Sequence, residues 1–222
     1  MKITVLIPAF NEEENISHTI DGLKKLQLEK DIIVIDDGST DETVKIAKSK
    51  DVFVISIPKN IGKGRAINFA LKKVNLDDCD ILVFIDGDVR ETSGEAIKLI
   101  KPLENDEADM VIGILPLPEK KGGFGFVKNL SRWGIKNICN FETKAPLSGQ
   151  RALKVELIEE VAKIESGYGM ETALTIDALR KGFRVIEIPV DMTHRETGRN
   201  IADFIHRFKQ FTQVLKAIIV RL

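Results

Sequence analysis

Cysteine is scarce in this chain: Cys79 and Cys139 are the only two among 222 residues, and neither belongs to a CxxC pair. Isolated thiols exclude a disulfide framework and a cysteine-ligated zinc site, and two reduced, buried side chains are expected. An excess of either charge is also missing. The 33 basic residues face 34 acidic ones, a net charge of −1. That balance argues against a nucleic-acid partner, which would call for a basic surplus. Long hydrophobic runs are absent too. No stretch approaches the roughly 18 to 20 apolar residues that span a bilayer. The N-terminal run 3–8 is too short for the apolar part of a signal peptide, and Glu12-Glu13-Glu14 contradict one. A cytoplasmic protein is expected, with peripheral membrane association left open. Internal repeats and low-complexity linkers are lacking as well.

What is present is an ordinary globular composition, 43% hydrophobic and 30% charged, long enough for one sizeable core. The first half alternates. Short β-branched runs at 3–8, 31–36, 52–57, 81–86 and 109–114 read as parallel strands covered on both faces. Between them lie helical patterns at 11–27, at a segment capped by Ser39-Thr40-Asp41-Glu42 and running to about Lys50, at 62–74 and at 94–103. Glu12, Glu13 and Glu14 fall in the expected first turn of the first helix. This order predicts a doubly wound, mostly parallel α/β sheet with right-handed crossovers. After Pro116 the pattern changes: a glycine-rich loop to Gly125, then helices at 127–139, 154–163 and 171–181, a strand at 184–190, and an amphipathic segment at 201–222. We expect one domain over 1–222, with a donor-binding half (1–115), an acceptor-facing half (116–200) and a C-terminal helix.

In an open parallel sheet, ligands bind beyond the carboxyl ends of the strands. The polar residues that follow each strand are Asn11-Glu12, Asp36-Asp37, Asn60-Ile61-Gly62-Lys63-Gly64-Arg65 and Asp86-Gly87-Asp88. Four such clusters should converge on one cleft. Asp86 and Asp88 flank a small residue and can face one hard cation, with Gly87 allowing close backbone approach. Oxygen donors beside phosphate suit Mg²⁺ or Mn²⁺. Lys63 and Arg65, at an expected helix start, suit a diphosphate. Asp37 is placed to accept hydrogen bonds from a base or ribose, and Asp36 to cap the neighbouring turn.

Taken in order, Ile7-Pro8-Ala9-Phe10-Asn11-Glu12-Glu13, Ile35-Asp36-Asp37-Gly38-Ser39-Thr40-Asp41, Asn60-Ile61-Gly62-Lys63-Gly64 and Asp86-Gly87-Asp88 resemble the motifs of family 2 inverting glycosyltransferases. The likeness extends through Gly167-Tyr168-Gly169-Met170-Glu171 and Val185-Ile186-Glu187-Ile188-Pro189, so it covers about residues 3 to 200. It implies a GT-A fold, a UDP- or GDP-sugar donor and a divalent metal. By that resemblance Pro8, Asn11 or Glu12, and Asp37 line the nucleoside pocket. Lys63 meets the diphosphate, with Arg199 as a second cation, and Asp88 is the principal metal ligand, joined by Asp86 and by His194. Ser148, Gly149 and Gln150 fall where the family contacts donor sugar or acceptor. Glu171 opens a helix where the family places a catalytic acid; its bland alternative is a helix N-terminal acid that complements the dipole. His18 and His206 are read as ordinary helix residues.

The acceptor stays open between a polyprenyl phosphate and a small phosphorylated acid. Phenylalanines in the loop 120–126 and the apolar face of 201–222, with Arg207, Lys209, Lys216 and Arg221 among its polar positions, hint at lipid. The same face would equally cover the core or a second subunit in a homodimer. Two rival readings are a nucleotidyltransferase and a non-catalytic nucleotide-sugar-binding protein. The first would put a basic glycine-rich signature after the first strand, where Pro8-Ala9-Phe10-Asn11-Glu12 stand. The second is opposed by the intact Asp86, Asp88, Lys63 and Glu171.

Overall fold

All seven residues of β1 (Ile3–Ala9) are buried, and both of its neighbours run parallel to it: β2 (Lys30–Asp36) on one side and β4 (Ile81–Phe84) on the other. The computed structural model describes residues 1–116, 125–161, 167–193 and 201–222, with side chains in the last segment from residue 210 onward. Seven strands form one sheet, ordered β3-β2-β1-β4-β6-β5-β7. β3 is Phe53–Ser56, β5 Met110–Ile114, β6 Arg151–Lys154 and β7 Val185–Pro189. Only β6 runs antiparallel, to both β4 and β5. This is the expected GT-A architecture.

Alternation along β1 divides the core. Ile3, Val5, Ile7 and Ala9 face α1 (Ile16–Lys24) and α4 (Ala96–Glu104), which contribute Ile16, Ile20, Leu23, Leu99, Ile100 and Leu103. Leu6 points the other way, with Ala66, Ile67 and Ala70 of α3 (Lys63–Leu71), Leu157 of α6 (Val155–Glu160) and Met170 and Leu174 of α7 (Met170–Arg180). Each fully buried aliphatic side chain contributes about 1.5–3 kcal/mol, and helices on both faces leave the carboxyl ends of the strands as the open edge.

Three local expectations are corrected, and one, the capped helix running to about Lys50, holds. The first helix begins at Ile16, not near Asn11, because Asn11 adopts φ 54° and the N–H groups of Glu12 and Glu13 are taken by Thr43 and Asp41. α2 is Thr43–Ser49, with Asp41 accepting from the Thr43 N–H. β4 ends at Phe84, so Asp86 lies past the strand. The expected helix 154–163 is preceded by β6, whose Arg-Ala-Leu-Lys sequence carries no strand signature; pairing with β4 and β5 makes it a strand. The glycine-rich loop falls largely at 117–124, outside the described residues.

α8 (Ile201–Ile219) packs against α5 (Phe126–Cys139) and α7. Gly134 lets Ile218 approach so closely that a β-carbon there would lie 2.5 Å from Ile218 Cδ1. Val214, Ala217 and Ile218 are buried, and Arg221 grips Asp177 with two contacts of 2.7 Å. In its described part the helix therefore covers core. No helix among the described residues is long and apolar enough to cross a membrane. Cys79 is buried and Cys139 half-buried, both as free thiols.

Candidate active site

The loops after β1 and β2 are laced together. Asn11 Oδ1 accepts from the Thr40 N–H at 2.9 Å, and Ser39 Oγ accepts from the Asn11 N–H at 3.0 Å. Asp36 caps its own turn, accepting from the Ser39 N–H at 2.9 Å, as expected. Asp37 does something the sequence did not announce. Its buried carboxylate accepts from the Ile61 and Gly62 N–H groups, each at 2.8 Å, and so fixes the loop that launches α3. Gly38 is required beneath it: φ is +77°, and a β-carbon would lie 2.5 Å from the Lys59 backbone. Gly62, at φ +92°, then turns the chain into α3 with Lys63 as its first residue.

From there Lys63 reaches across the cleft. Its ammonium lies 2.7 Å from Asp86 Oδ1 and 3.1 Å from Glu171 Oε1, the acid in the first turn of α7. Burial works against the Lys63 charge, but attraction to Asp86 and then to Glu171 outweighs it and holds the pKa above the ordinary lysine range. Gln150 closes the other side of Asp86: Nε2 donates to Oδ2 at 2.9 Å, while Oε1 accepts from the Asp86 N–H at 3.1 Å. Both carboxylate oxygens of Asp86 are thereby engaged. Gly149 packs so tightly here that a β-carbon would strike Lys63 Nζ and come within 2.5 Å of Asp86 Oδ2.

The turn that carries Gly87 is held from below. Thr19 Oγ1 donates to the Gly87 carbonyl at 2.8 Å and accepts from the Arg90 N–H at 2.8 Å. Arg90 Nε donates to Asn15 Oδ1 at 2.7 Å, and Asn15 in turn donates to Glu12 Oε2 at 2.7 Å. Glu12 thus ties the loop after β1 to the Asp86-Gly87-Asp88 turn, and Pro8 lies beside it, its carbonyl 3.4 Å from where a Gly87 β-carbon would be. Asp88 itself is half-buried.

The rear wall rests on two residues that the sequence reading passed over. Arg151 is fully buried at the start of β6, donating to the carbonyls of Ser148 (2.8 Å) and Pro146 (3.3 Å) and to Thr175 Oγ1 (2.9 Å). Burial lowers its pKa to about 10, against the pull of Glu171 and Glu187. Glu187 on β7 accepts from the N–H groups of Lys144 and Ala145 and from Thr143 Oγ1. Together they brace the 143–151 segment that carries Ser148, Gly149 and Gln150. For Glu187 a charged residue inside an apolar strand was the available signal; Arg151 had none, because β6 has no strand signature of its own.

The fold therefore gathers Lys63, Asp86, Glu171 and Gln150 into one cluster, and groups Pro8, Asn11, Glu12 and Asp37 around the adjoining loops. His194 and Arg199 lie outside the described residues. Among the described residues, no three or more His, Cys, Asp or Glu side chains form a group able to hold a metal by themselves. His18 is a surface residue paired with Glu91 at 2.6 Å.

Comparison with known proteins matches residues 4–159 to the family model described as glycosyl transferase family 2. The chain is 31% identical to UDP-N-acetylglucosamine–dolichyl-phosphate N-acetylglucosaminyltransferase of Methanococcus voltae, over 87% of this chain and 86% of that one. It is 25% identical to undecaprenyl-phosphate mannosyltransferase of Micrococcus luteus, over 90% and 87%. Among solved structures, glucosyl-3-phosphoglycerate synthase of Mycobacterium tuberculosis matches with a TM-score of 0.80 at 26% identity, covering 99% of this chain and 79% of that one, in complex with Mn²⁺, uridine diphosphate and glucosyl-3-phosphoglycerate. On the family match and the shared GT-A architecture, this chain belongs to glycosyl transferase family 2.

Proposed function

We propose that this chain moves a hexose, with inversion, from a UDP- or GDP-sugar to an acceptor that carries a phosphate. The observation that carries the reading is the Lys63 ammonium standing between Asp86 and Glu171: one cation for a diphosphate, one acid toward the donor and one toward the acceptor. The names of the relatives support it: one pairs UDP-N-acetylglucosamine with dolichyl phosphate, one names a mannosyltransferase of undecaprenyl phosphate, and the solved structure holds uridine diphosphate with glucosyl-3-phosphoglycerate.

The donor set fits a hard divalent cation. Asp86 and Asp88 offer oxygen ligands across one glycine, and by family resemblance Asp88 is the principal carboxylate we assign to the ion, with Asp86 beside it held by Lys63 and Gln150. His194 is the second ligand by family resemblance. Mg²⁺ or Mn²⁺ there would neutralise charge on the departing diphosphate. Lys63 adds a fixed positive charge to the same leaving group, with Arg199 as the second cation in this reading. Asp37, Pro8, Asn11 and Glu12 form the nucleoside side, and Ser148 and Gln150 the sugar side. For an acceptor hydroxyl, Glu171 takes the proton. A phosphate acceptor is already an anion, and then Glu171 serves to hold Lys63.

Two exposed aromatics at the outer face of α5, Phe126 (67% exposed) and Trp133 (51%), favour a lipid-borne phosphate. A cytoplasmic enzyme touching the membrane surface is consistent with that acceptor, and a homodimer remains compatible with the reading. The test is a donor panel of UDP-glucose, UDP-GlcNAc and GDP-mannose scored for Mn²⁺-dependent hydrolysis. Release of a nucleoside diphosphate from one donor, lost in Asp88→Asn, supports the reading; no hydrolysis and no binding of any donor overturns it.

A further inference from the structure

The turn Gly167-Tyr168-Gly169 leads into α7, and α8 accounts for both of its glycines. Gly167 stands at φ +84°, and a β-carbon on it would strike Gln213 Oε1 and lie 2.9 Å from Gln213 Cδ. A β-carbon on Gly169 would lie 2.8 Å from Ala217 Cβ and 2.9 Å from the Gln213 carbonyl oxygen. Residues without a side chain let α8 press this closely on the turn. In the space they leave, Gln213 Oε1 accepts from the Tyr168 N–H at 2.8 Å. The contact spans 45 residues of sequence. It does what a local cap does elsewhere, because Gly169, where α7 is entered, makes no side-chain cap bond.

Glu171 follows directly, in the first turn of α7, with its Oε1 3.1 Å from the Lys63 ammonium. A side chain in the first turn moves with the backbone that enters it. The body of α7 has other anchors. Thr172 meets Ser131 of α5 at 2.6 Å, Thr175 receives Arg151 at 2.9 Å, and Asp177 takes the two Arg221 contacts from α8. α8 therefore grips α7 twice, with Gln213 at the end that carries Glu171 and Arg221 about two turns further on.

We propose that Gln213 is a positioning residue for the transfer reaction, acting through the Gly167–Gly169 turn on Glu171 and through Glu171 on Lys63. This rests on the reading of Lys63 and Glu171 as the centre between donor and acceptor, and it makes the C-terminal helix a working part of that centre. Without the Gln213 oxygen the Tyr168 N–H turns to water, the first turn of α7 loosens, and Glu171 no longer holds Lys63 in one place.

Gln213→Met keeps the length of the side chain and removes the acceptor, while Gln213→Glu keeps the acceptor. Both are compared with wild type, with Asp177→Ala, which breaks the far grip between the same two helices, and with Glu171→Gln alone and combined with Gln213→Met. Turnover is read as Mn²⁺-dependent release of nucleoside diphosphate from the donor that the panel identifies. Amide hydrogen exchange over 168–173 is read on the free protein. We expect Gln213→Met to lower kcat about threefold to tenfold, with donor KM within about twofold of wild type, and exchange to quicken with it. Gln213→Glu should restore both. Asp177→Ala should lower the melting temperature at least as much and leave kcat unchanged. The combined variant should be no slower than Glu171→Gln, because residues that act in series do not add. Wild-type kcat in Gln213→Met, additive losses in the combined variant, or an equal fall in Asp177→Ala overturns the proposal. Gln213→Asn, which withdraws the oxygen by one methylene, decides the matter if Gln213→Met fails to fold. A wild type that turns over no donor would overturn the donor reading instead. Quickened exchange in Gln213→Met, restored in Gln213→Glu, would then leave the anchoring of the turn standing, and unchanged exchange would overturn that as well.

Discussion

Lys63, the first residue of α3, lies 3.1 Å from Glu171, the second residue of α7, and so joins the two halves of the chain within the cluster that also holds Asp86. The same ammonium lies closer still to Asp86. Substituting Lys63 with Met leaves two carboxylates facing each other without their cation. Breaking a fully buried pair costs about 3–5 kcal/mol. Lys63 and Asp86 keep 32% and 31% of their side chains exposed, so solvent screening reduces the expected loss to about 1–2 kcal/mol. Activity should fall much further, by roughly a hundredfold to a thousandfold, because the leaving group loses its fixed charge. Melting temperature and steady-state turnover measured on the same preparation check both halves of this expectation.

Gly149→Ala tests the packing of that cluster without removing a charge. The new methyl would strike Lys63 Nζ and lie 2.5 and 2.9 Å from the Asp86 oxygens. Lysine ends are flexible, so the fold should hold while Lys63 is displaced. A loss of about tenfold to a hundredfold in turnover is expected, since displacements of about 1 Å carry that penalty. Wild-type turnover would mean that the observed Lys63 position is not the working one.

Much of this was legible beforehand because the front half is written in regular units. Four of its five strands end in polar clusters, and alternation alone puts Asp37, Lys63 and Asp86 at the same edge of the sheet, although β3 itself lies partly exposed and not covered on both faces as expected. The rear half is written differently. Arg151–Lys154 has no strand character of its own and becomes β6 by pairing with β4 and β5. Arg151, Gly149 and Glu187 matter through contacts made at 24 or more residues' separation, such as Arg151 to Thr175 and Glu187 to Thr143, and no local pattern records such contacts. Asp37 was read as a ligand group, while its carboxylate is seen holding the Ile61-Gly62 turn. Which groups meet in space followed from topology, and how each spends its hydrogen bonds did not.

Glu171→Gln reads the chemistry of the acceptor. With an ionised phosphate as nucleophile no base is needed, and turnover at saturating acceptor should fall by no more than about tenfold, the effect of loosening Lys63. A fall beyond about a hundredfold would mark Glu171 as the base for a hydroxyl nucleophile, the outcome expected of a small phosphorylated acid and not of a polyprenyl phosphate.

A separate ion-pair group at the opposite end of β5 governs acid stability. Asp109 is held well below the ordinary carboxylate range, chiefly by hydrogen bonds from Arg184 and then Lys154, against the opposing effect of burial. In the folded protein it stays ionised where the unfolded chain, with a pKa near about 3.9, has taken up a proton. Its contribution is therefore present above about pH 4 and is lost as pH falls from there through the depressed folded value. Asp109→Asn should lower stability at pH 7 by about 1–2 kcal/mol, discounted for the exposed Arg184 and Asp106. It should also flatten the decline in stability between about pH 4 and pH 2, measured by urea unfolding at each pH.

The most direct measurement is calorimetric binding of UDP and GDP with and without Mn²⁺, on wild type and Asp88→Asn. The account predicts that one of the two diphosphates binds at least about tenfold more tightly with Mn²⁺ than without, and that Asp88→Asn abolishes this gain while the fold is retained. Binding that is indifferent to Mn²⁺, or equal in Asp88→Asn and wild type, would contradict the assignment of the donor diphosphate to the Asp86-Gly87-Asp88 turn.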